Sequence, residues 1–291
     1  MRILLTNDDG IGAAGLKALH AALSRHAEVW VVAPRTEQSA IAHAITLKTP
    51  ISVSAAALAE DGRAYSVAGT PADCVKLALC ALMTAPPDVV VSGINHGANA
   101  GVNVLYSGTL AAAVEAALNG VPAVAASLET KDPVDFAPYA ALLAPLIMEL
   151  AGQAIGKIDI FNVNCPFIPV ADIGKPLFTY QACSVNRDTV DAQNLADGSV
   201  GYTLRSTLVL KDCATSDILV AHTGRGRDGK RSRRDTVASL AGVSLPRKPV
   251  SDIEALRKGH VSVTPISFDR TDYGKLIEIA GQARKRRRTA R

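Results

Sequence analysis

Apolar residues in the first half of the chain follow two alternating rhythms. Short runs at Arg2 to Thr6, Glu28 to Ala33, Asp88 to Ser92, Ala123 to Ser127 and Ile158 to Val163 are compact and rich in β-branched or small residues. Such runs suit strands buried on both faces. Between them apolar residues recur at helical spacing, as at Leu16, Leu19 and Leu23 within Ala13 to Arg25. Further helices are predicted from Pro71 to about Met83, at Thr109 to Leu118 and at Pro138 to Ala151. Pro71 after Thr70 marks a helix start, because proline is preset for the first helical position, and Asp73 in the first turn complements the helix dipole. A loop rich in Thr, Gln and Ser runs to Pro50, with weaker extended stretches near Ile51 to Ser54 and Tyr65 to Val67. Strands separated by crossover helices predict an α/β fold built on a Rossmann-like, doubly wound, mostly parallel sheet.

From about Pro176 the rhythm changes to alternating residues at Gly201 to Leu210 and Asp217 to His222, then a basic stretch from Arg225 to Arg234. The basic stretch reads as a solvated loop or hairpin tip. The chain therefore divides into a core at 1–175, a smaller irregular β-rich C-terminal lobe with extended arm or hairpin elements at 176–275, and a disordered basic tail at 276–291.

Composition changes this picture little. The chain has 291 residues, 48% of them hydrophobic, which is material for a sizeable core. The formal charge is +4, but Arg284, Lys285, Arg286, Arg287, Arg288 and Arg291 contribute six positive charges, leaving 4 − 6 = −2 for the rest. The body is thus no polyanion-binding surface, and the tail reads as a solvated end and not as a nucleic-acid contact. Apolar runs such as Ala137 to Ala151 break off short of the ~20 residues a membrane span needs. No apolar leader follows Met1, so a cytoplasmic, non-membrane protein is expected. Cys74, Cys80, Cys165, Cys183 and Cys213 are widely spaced and are expected as reduced, mostly buried thiols.

The candidate chemistry begins where the first strand ends, at Asn7-Asp8-Asp9-Gly10. Ligand sites in doubly wound sheets lie outside the carboxyl ends of the strands. Two adjacent carboxylates repel each other and gain nothing from burial, so a cation between the sheet and a ligand explains them best. Helix capping accounts for one of Asn7, Asp8 and Asp9 but not for the cluster. Gly10-Ile11-Gly12-Ala13-Ala14-Gly15 also matches G-x-G-x-x-G, which keeps a dinucleotide-binding module in view. Against it, Asp8 and Asp9 would repel a pyrophosphate. The second strand also ends at Pro34-Arg35, without the acidic residue an NAD site uses.

Neutral oxygens can join the two carboxylates from Ser39, after the second strand, and from Asn95, after Val89-Val90-Val91. Such a donor set is hard and suits Mg2+ or Mn2+ with water completing the shell. Beyond it lies a glycine-punctuated loop, Asn95-His96-Gly97-Ala98-Asn99-Ala100-Gly101, and then Tyr106-Ser107-Gly108-Thr109 leads into a helix. A helix N-terminus with small hydroxyl residues can hold an anion through free N–H groups, although Ser107 or Thr109 can equally be a plain cap. Cation, water and anion nest together describe phosphate-ester hydrolysis.

In order and spacing these motifs resemble the SurE survival-protein family of nucleoside-monophosphate phosphatases. The matches are Ile3 to Gly10, Val31-Val32-Ala33-Pro34 leading to Ser39, Gly69-Thr70-Pro71-Ala72-Asp73-Cys74-Val75, Val91-Ser92-Gly93-Ile94-Asn95, Tyr106-Ser107-Gly108-Thr109 and Val261-Ser262-Val263-Thr264-Pro265. The resemblance implies one divalent cation per subunit (Mg2+ or Mn2+) on Asp8, Asp9, Ser39 and Asn95, and removal of the 5' or 3' phosphate of nucleotides. It also implies a homodimer or homotetramer with exchanged arms. The chain departs from the family pattern at Gly12-Ala13-Ala14, where a His and a Pro are frequent. It departs again from Cys183 to Arg247, which lacks an aromatic-rich segment. The expected mechanism has Asp8 positioning or deprotonating the attacking water, and Ser107, Gly108 and Thr109 stabilising charge on the phosphoryl group. His96 is a general-acid candidate by type. Two rivals remain: an aspartyl-phosphate phosphatase with Asp8 as nucleophile, and a nucleotide-binding module without phosphatase activity.

Overall fold

In strand β1 (Arg2–Thr6), Ile3 and Leu5 belong to one buried apolar cluster and Leu4 to another. That alternation, with all three fully buried, makes β1 a central strand covered on both faces. The computed structural model describes residues 1–59, 62–130, 132–152, 160–197, 199–210, 239–240, 242–246, 248–272, 274–277 and 279–280.

Helix α1 (Ala14–Leu23) buries Leu16, Leu19 and Leu23, which meet Leu143, Ile147 and Leu150 of α4 (Ala137–Gly152) on one face of the sheet. On the other face, α2 (Pro71–Leu77) and α3 (Gly108–Leu118) pack Cys74, Val75, Leu110, Ala112, Ala113 and Ala116 on Leu4, Val32 and Val90. The alanines of α3 let its backbone approach the strands closely. Thr70 caps α2, Pro71 stands at its start, and Asp73 completes a reciprocal capping box.

The main sheet runs β11-β12-β8-β13-β7-β6-β5-β1-β2-β4-β3. Here β2 is Glu28–Pro34, β3 Val53–Ala55, β4 Ala64–Val67, β5 Val89–His96, β6 Ala123–Glu129 and β7 Ile160–Pro166. From β7 through β6, β5, β1 and β2 to β4 each pairing is parallel, as a doubly wound sheet requires. The strand order reverses between β1 and β5, which opens a crevice at their carboxyl ends.

Strands β8 (Gly174–Phe178), β12 (Val243–Ser244) and β13 (His260–Ile266) extend this sheet, β13 lying antiparallel beside β7, and β11 (Ser239–Leu240) forms its edge. Helix α5 (Asp252–Arg257) precedes β13. Strands β9 (Ser184–Asn194) and β10 (Val200–Leu210) form a separate antiparallel arm, with much of both strands exposed.

Asp217 to His222, Arg225 to Arg234 and the tail from Arg284 lie outside the described residues. No described helix is long and apolar enough to cross a membrane. Cys74 and Cys165 are buried free thiols and Cys80 is an exposed one. Cys183 is disulfide-bonded, which corrects the expectation of reduced thiols throughout.

Candidate active site

Gly10 turns the chain out of β1 at φ +99°, a left-handed conformation that glycine adopts without strain. Asn7 braces the turn, its amide donating to the Gly10 carbonyl at 3.0 Å while its oxygen accepts from the Gly10 N–H at 3.2 Å. None of Asn7, Asp8 and Asp9 caps α1, whose cap position is Ala13 with no side-chain hydrogen bond. Capping therefore does not account for the acidic pair.

Asp8 is 7% exposed. Burial is the main reason its carboxyl is pushed up to about 6; the charge of Asp9 adds to the rise, and the Thr109 hydroxyl, donating at 2.6 Å, opposes it. Asp9 is also raised, again chiefly by burial, although it accepts the His96 backbone N–H at 3.0 Å. The two carboxylates thus sit where their negative charge is disfavoured.

The Ser-Gly-Thr sequence at the start of α3 is built around Asp8. Ser107 caps the helix by accepting the Leu110 N–H at 3.0 Å. A side chain at Gly108 would place its first carbon 2.8 Å from the Cβ of Asp8, so only glycine leaves room for the carboxylate. Thr109 holds Asp8, and Asn99 braces Thr109 and Ser127 at 3.2 and 2.9 Å. Asn99 is fixed in turn through its backbone, its N–H donating to Asn164 and its carbonyl accepting from Asn162 and Asn164.

A cavity of about 1090 Å³ opens over the carboxyl ends of β1 and β5. Asp8, Asp9, Ser39, Asn95, His96 and Ser107 all line it. Gly108 and Thr109 do not; their contacts run to Asp8 from behind. Asn95 commits its amide nitrogen to the Gly97 carbonyl at 2.7 Å, which leaves its oxygen for a ligand. Ser39 donates its hydroxyl to Glu37, a lining carboxylate that the sequence reading passed over. The His96 ring is held by the Asp132 carbonyl at 2.9 Å and stands edge-on to Phe136. Among the described residues the lining carries Asp8, Asp9, Glu37 and Asp188 and no lysine or arginine.

The loop bearing Ser39 is tied down at both ends. The Gln38 N–H donates to the Asp8 carbonyl at 2.7 Å, and the Ala42 N–H donates to the Tyr106 carbonyl at 3.0 Å. Farther on, His43 meets buried Glu115 of α3 at 2.9 Å, with Lys76 on the same carboxylate at 2.6 Å. Asp73 accepts the Thr46 N–H and hydroxyl at 2.8 and 2.6 Å.

The glycine pattern has a packing explanation. At Gly15 a Cβ would fall 2.1 Å from the Ile94 carbonyl, so glycine is what lets α1 press on β5. Gly12 meets nothing within 4 Å.

Among the described residues no group of three His, Cys, Asp or Glu could hold a metal. The available set is two carboxylates with neutral oxygens from Ser39 and Asn95, which fits a hard cation that keeps several waters. Three functional asparagines escaped the sequence reading. Asn162 and Asn164, alternating within an otherwise apolar strand, and Asn99 in the glycine-rich loop were visible as polar residues on a buried face.

Comparison with known proteins places these residues in a family. The model of "Survival protein SurE" matches residues 3–188. A "5'-nucleotidase SurE" of Syntrophobacter fumaroxidans is 37% identical over 97% of this chain and 99% of its own length. Another, of Solidesulfovibrio magneticus, is 39% identical over 97% of each. The crystal structure of a SurE protein from Aquifex aeolicus superposes with a TM-score of 0.71 at 27% identity, covering 97% of this chain and 100% of that one.

Proposed function

The chain belongs to the SurE survival-protein family, and from that premise we propose that it is a divalent-metal-dependent phosphatase converting nucleoside 5'-monophosphates, and also 3'-monophosphates, to nucleoside and phosphate. The observation that carries the metal dependence is the cavity itself. One buried and one partly buried carboxylate with raised pKa values, in a lining that holds no lysine or arginine among the described residues, disfavour a phosphate dianion unless a cation neutralises them. Asp8, Asp9, Ser39 and Asn95 are the residues that would hold one Mg2+ or Mn2+ per subunit. When bound, such a cation supplies Lewis-acid charge and a more acidic water.

The protein's own residues do the rest. Asp8, whose side chain lines the cavity, orients the attacking water and takes up its proton. Thr109 and Gly108 position Asp8, one through its hydroxyl and the other by leaving space. Ser107 faces the cavity at the positive end of α3, where it meets the phosphoryl oxygens. The His96 ring lines the same cavity and is held by the Asp132 carbonyl, which ties the end of β5 to the segment after β6.

The β9–β10 arm is the proposed subunit contact. Its register sets Val190, Val200 and Tyr202 on one face, and these are 50 to 70% exposed. That apolar face fits a homodimer or homotetramer, and Tyr202→Asp should lower the mass seen by light scattering.

The deciding experiment measures phosphate release from a panel of nucleoside 5'- and 3'-monophosphates with EDTA, Mg2+ or Mn2+. Release restored by metal supports the proposal; no release with either metal defeats it in favour of a nucleotide-binding module. A labelled phosphoenzyme trapped by rapid quench would instead make Asp8 the nucleophile.

A further inference from the structure

The cavity has two unlike walls. One is the buried sheet end with Asp8, Asp9 and Asn95; the other is the arm, which contributes Asn186, Asp188, Leu204 and Ser206. In the arm Asp188 lies opposite Ser206, Asn186 opposite Leu208 and Val190 opposite Leu204, so residues at even positions share one face. The inner part of that face overhangs the cavity. Its counterpart at odd positions carries Arg187, Thr189, Asp191 and Arg205 away from it.

We propose that this arm wall recognises the nucleoside half of the substrate, with Asp188 as the specificity-determining residue. The inference rests on the phosphatase reading and deepens it. A cavity of about 1090 Å³ exceeds what a phosphate needs and accommodates a nucleoside as well. The phosphate end is defined by Asp8 and Asp9, so the opposite wall faces the remainder of the molecule. A carboxylate can only accept hydrogen bonds, and it repels phosphate. The donors it can take are ribose hydroxyls or the N–H groups of a base. The Ser206 hydroxyl donates to one oxygen of Asp188, which steadies the side chain and leaves the other oxygen for the ligand. Asn186 adds a donor and an acceptor beside it, while Leu204 and Phe136 offer apolar surface to a base.

The arm is held in register with the catalytic loop at its root. Fully buried Asp252 accepts the N–H groups of Gly101 and Ala182, each at 2.9 Å. Ser184 accepts the Val102 N–H at 2.8 Å, and Gln181 donates to the Gly101 carbonyl at 2.8 Å. Gly101 is in close contact with this root, since a Cβ there would fall 2.4 Å from the Ser184 hydroxyl. The arm wall is therefore placed by the same loop that carries Asn95 and Ser107.

The test compares kcat/KM for nucleoside monophosphates with that for p-nitrophenyl phosphate, an ester with no nucleoside. In Asp188→Ala the ratio of the two should fall about tenfold through the KM of the nucleotide, the effect of losing one charge-assisted hydrogen bond. Arg187→Ala, on the opposite face of the same strand, should leave the ratio unchanged. An unchanged ratio in Asp188→Ala overturns the proposal. Should wild type release no phosphate from any ester, the phosphatase reading fails, and saturation-transfer NMR with adenosine and guanosine decides the arm's role independently. Nucleoside binding by wild type that is lost in Asp188→Ala sustains it; no binding, or equal binding by both proteins, overturns it.

Discussion

Asp8 and Asp73 are both aspartates nearly out of water, 7% and 2% exposed, and they have opposite fates. Burial raises both, but at Asp73 it is outweighed by the Thr46 hydroxyl and N–H and the Thr70 N–H, and the carboxyl ends below its usual range. At Asp8 the Thr109 hydroxyl does not offset burial, and a second carboxylate stands next door. A carboxylate satisfied by the fold is structural; one that the fold leaves short of partners is waiting for a ligand. The same contrast separates Glu115, buried but answered by Lys76, His43 and Asn119, from Asp9.

The largest test of this contrast is activity. Asp8→Asn and Asp9→Asn should each lower metal-dependent phosphate release by about 10³-fold or more, on the order of 4 kcal/mol in the barrier. Asp73→Asn should keep turnover within a few-fold, and a loss as deep as that of Asp9→Asn would erase the distinction.

Next in size is stability. Asp73→Ala strips three hydrogen bonds, one of them half of a capping box, and should destabilise by about 2–3 kcal/mol, read from the urea midpoint. Asp8→Asn should move the other way, stabilising the metal-free protein by about 1–2 kcal/mol at pH 7. The pH dependence carries the sign. Because the folded pKa of Asp8 is near 6 and its ordinary value is 3.8, the folded chain holds a proton that the unfolded chain has lost between them. Metal-free stability should fall as pH rises through that window, and Asp8→Asn should flatten the fall. The Asp73 contribution runs oppositely, present above its ordinary pKa and lost as pH drops through the lowered one. The smallest effect belongs to Glu115→Gln, about 1 kcal/mol, because Lys76 and His43 are partly exposed and can be rehydrated. A larger rise in the KM for metal than in urea sensitivity would show that this cluster acts chiefly through the Ser39 loop.

Much of the core was legible in the chain. Runs such as Val89-Val90-Val91 declare a strand buried on both sides, and Leu16, Leu19 and Leu23 declare one helical face. The acidic pair could be located because the end of a first strand is a place with few structural uses for two carboxylates. Less visible was the support of the site. Gly108 and Thr109 read as an anion nest, yet their contacts are with Asp8, a pairing across 101 residues that no local pattern records. Glu37 and Asp188 looked like ordinary surface acids until the fold set them on one cavity wall.

Local chemistry in the sequence determined the central strands, the helix start at Thr70 and the family, because periodicity, capping and short motifs act over a few residues. Tertiary structure decided which acids are answered and which are not. It also decided that residues 260–266 return beside β7 and that the arm overhangs the cavity. Burial and partner count belong to the whole packed chain, and it is these quantities that turn one aspartate into a cap and another into a candidate ligand.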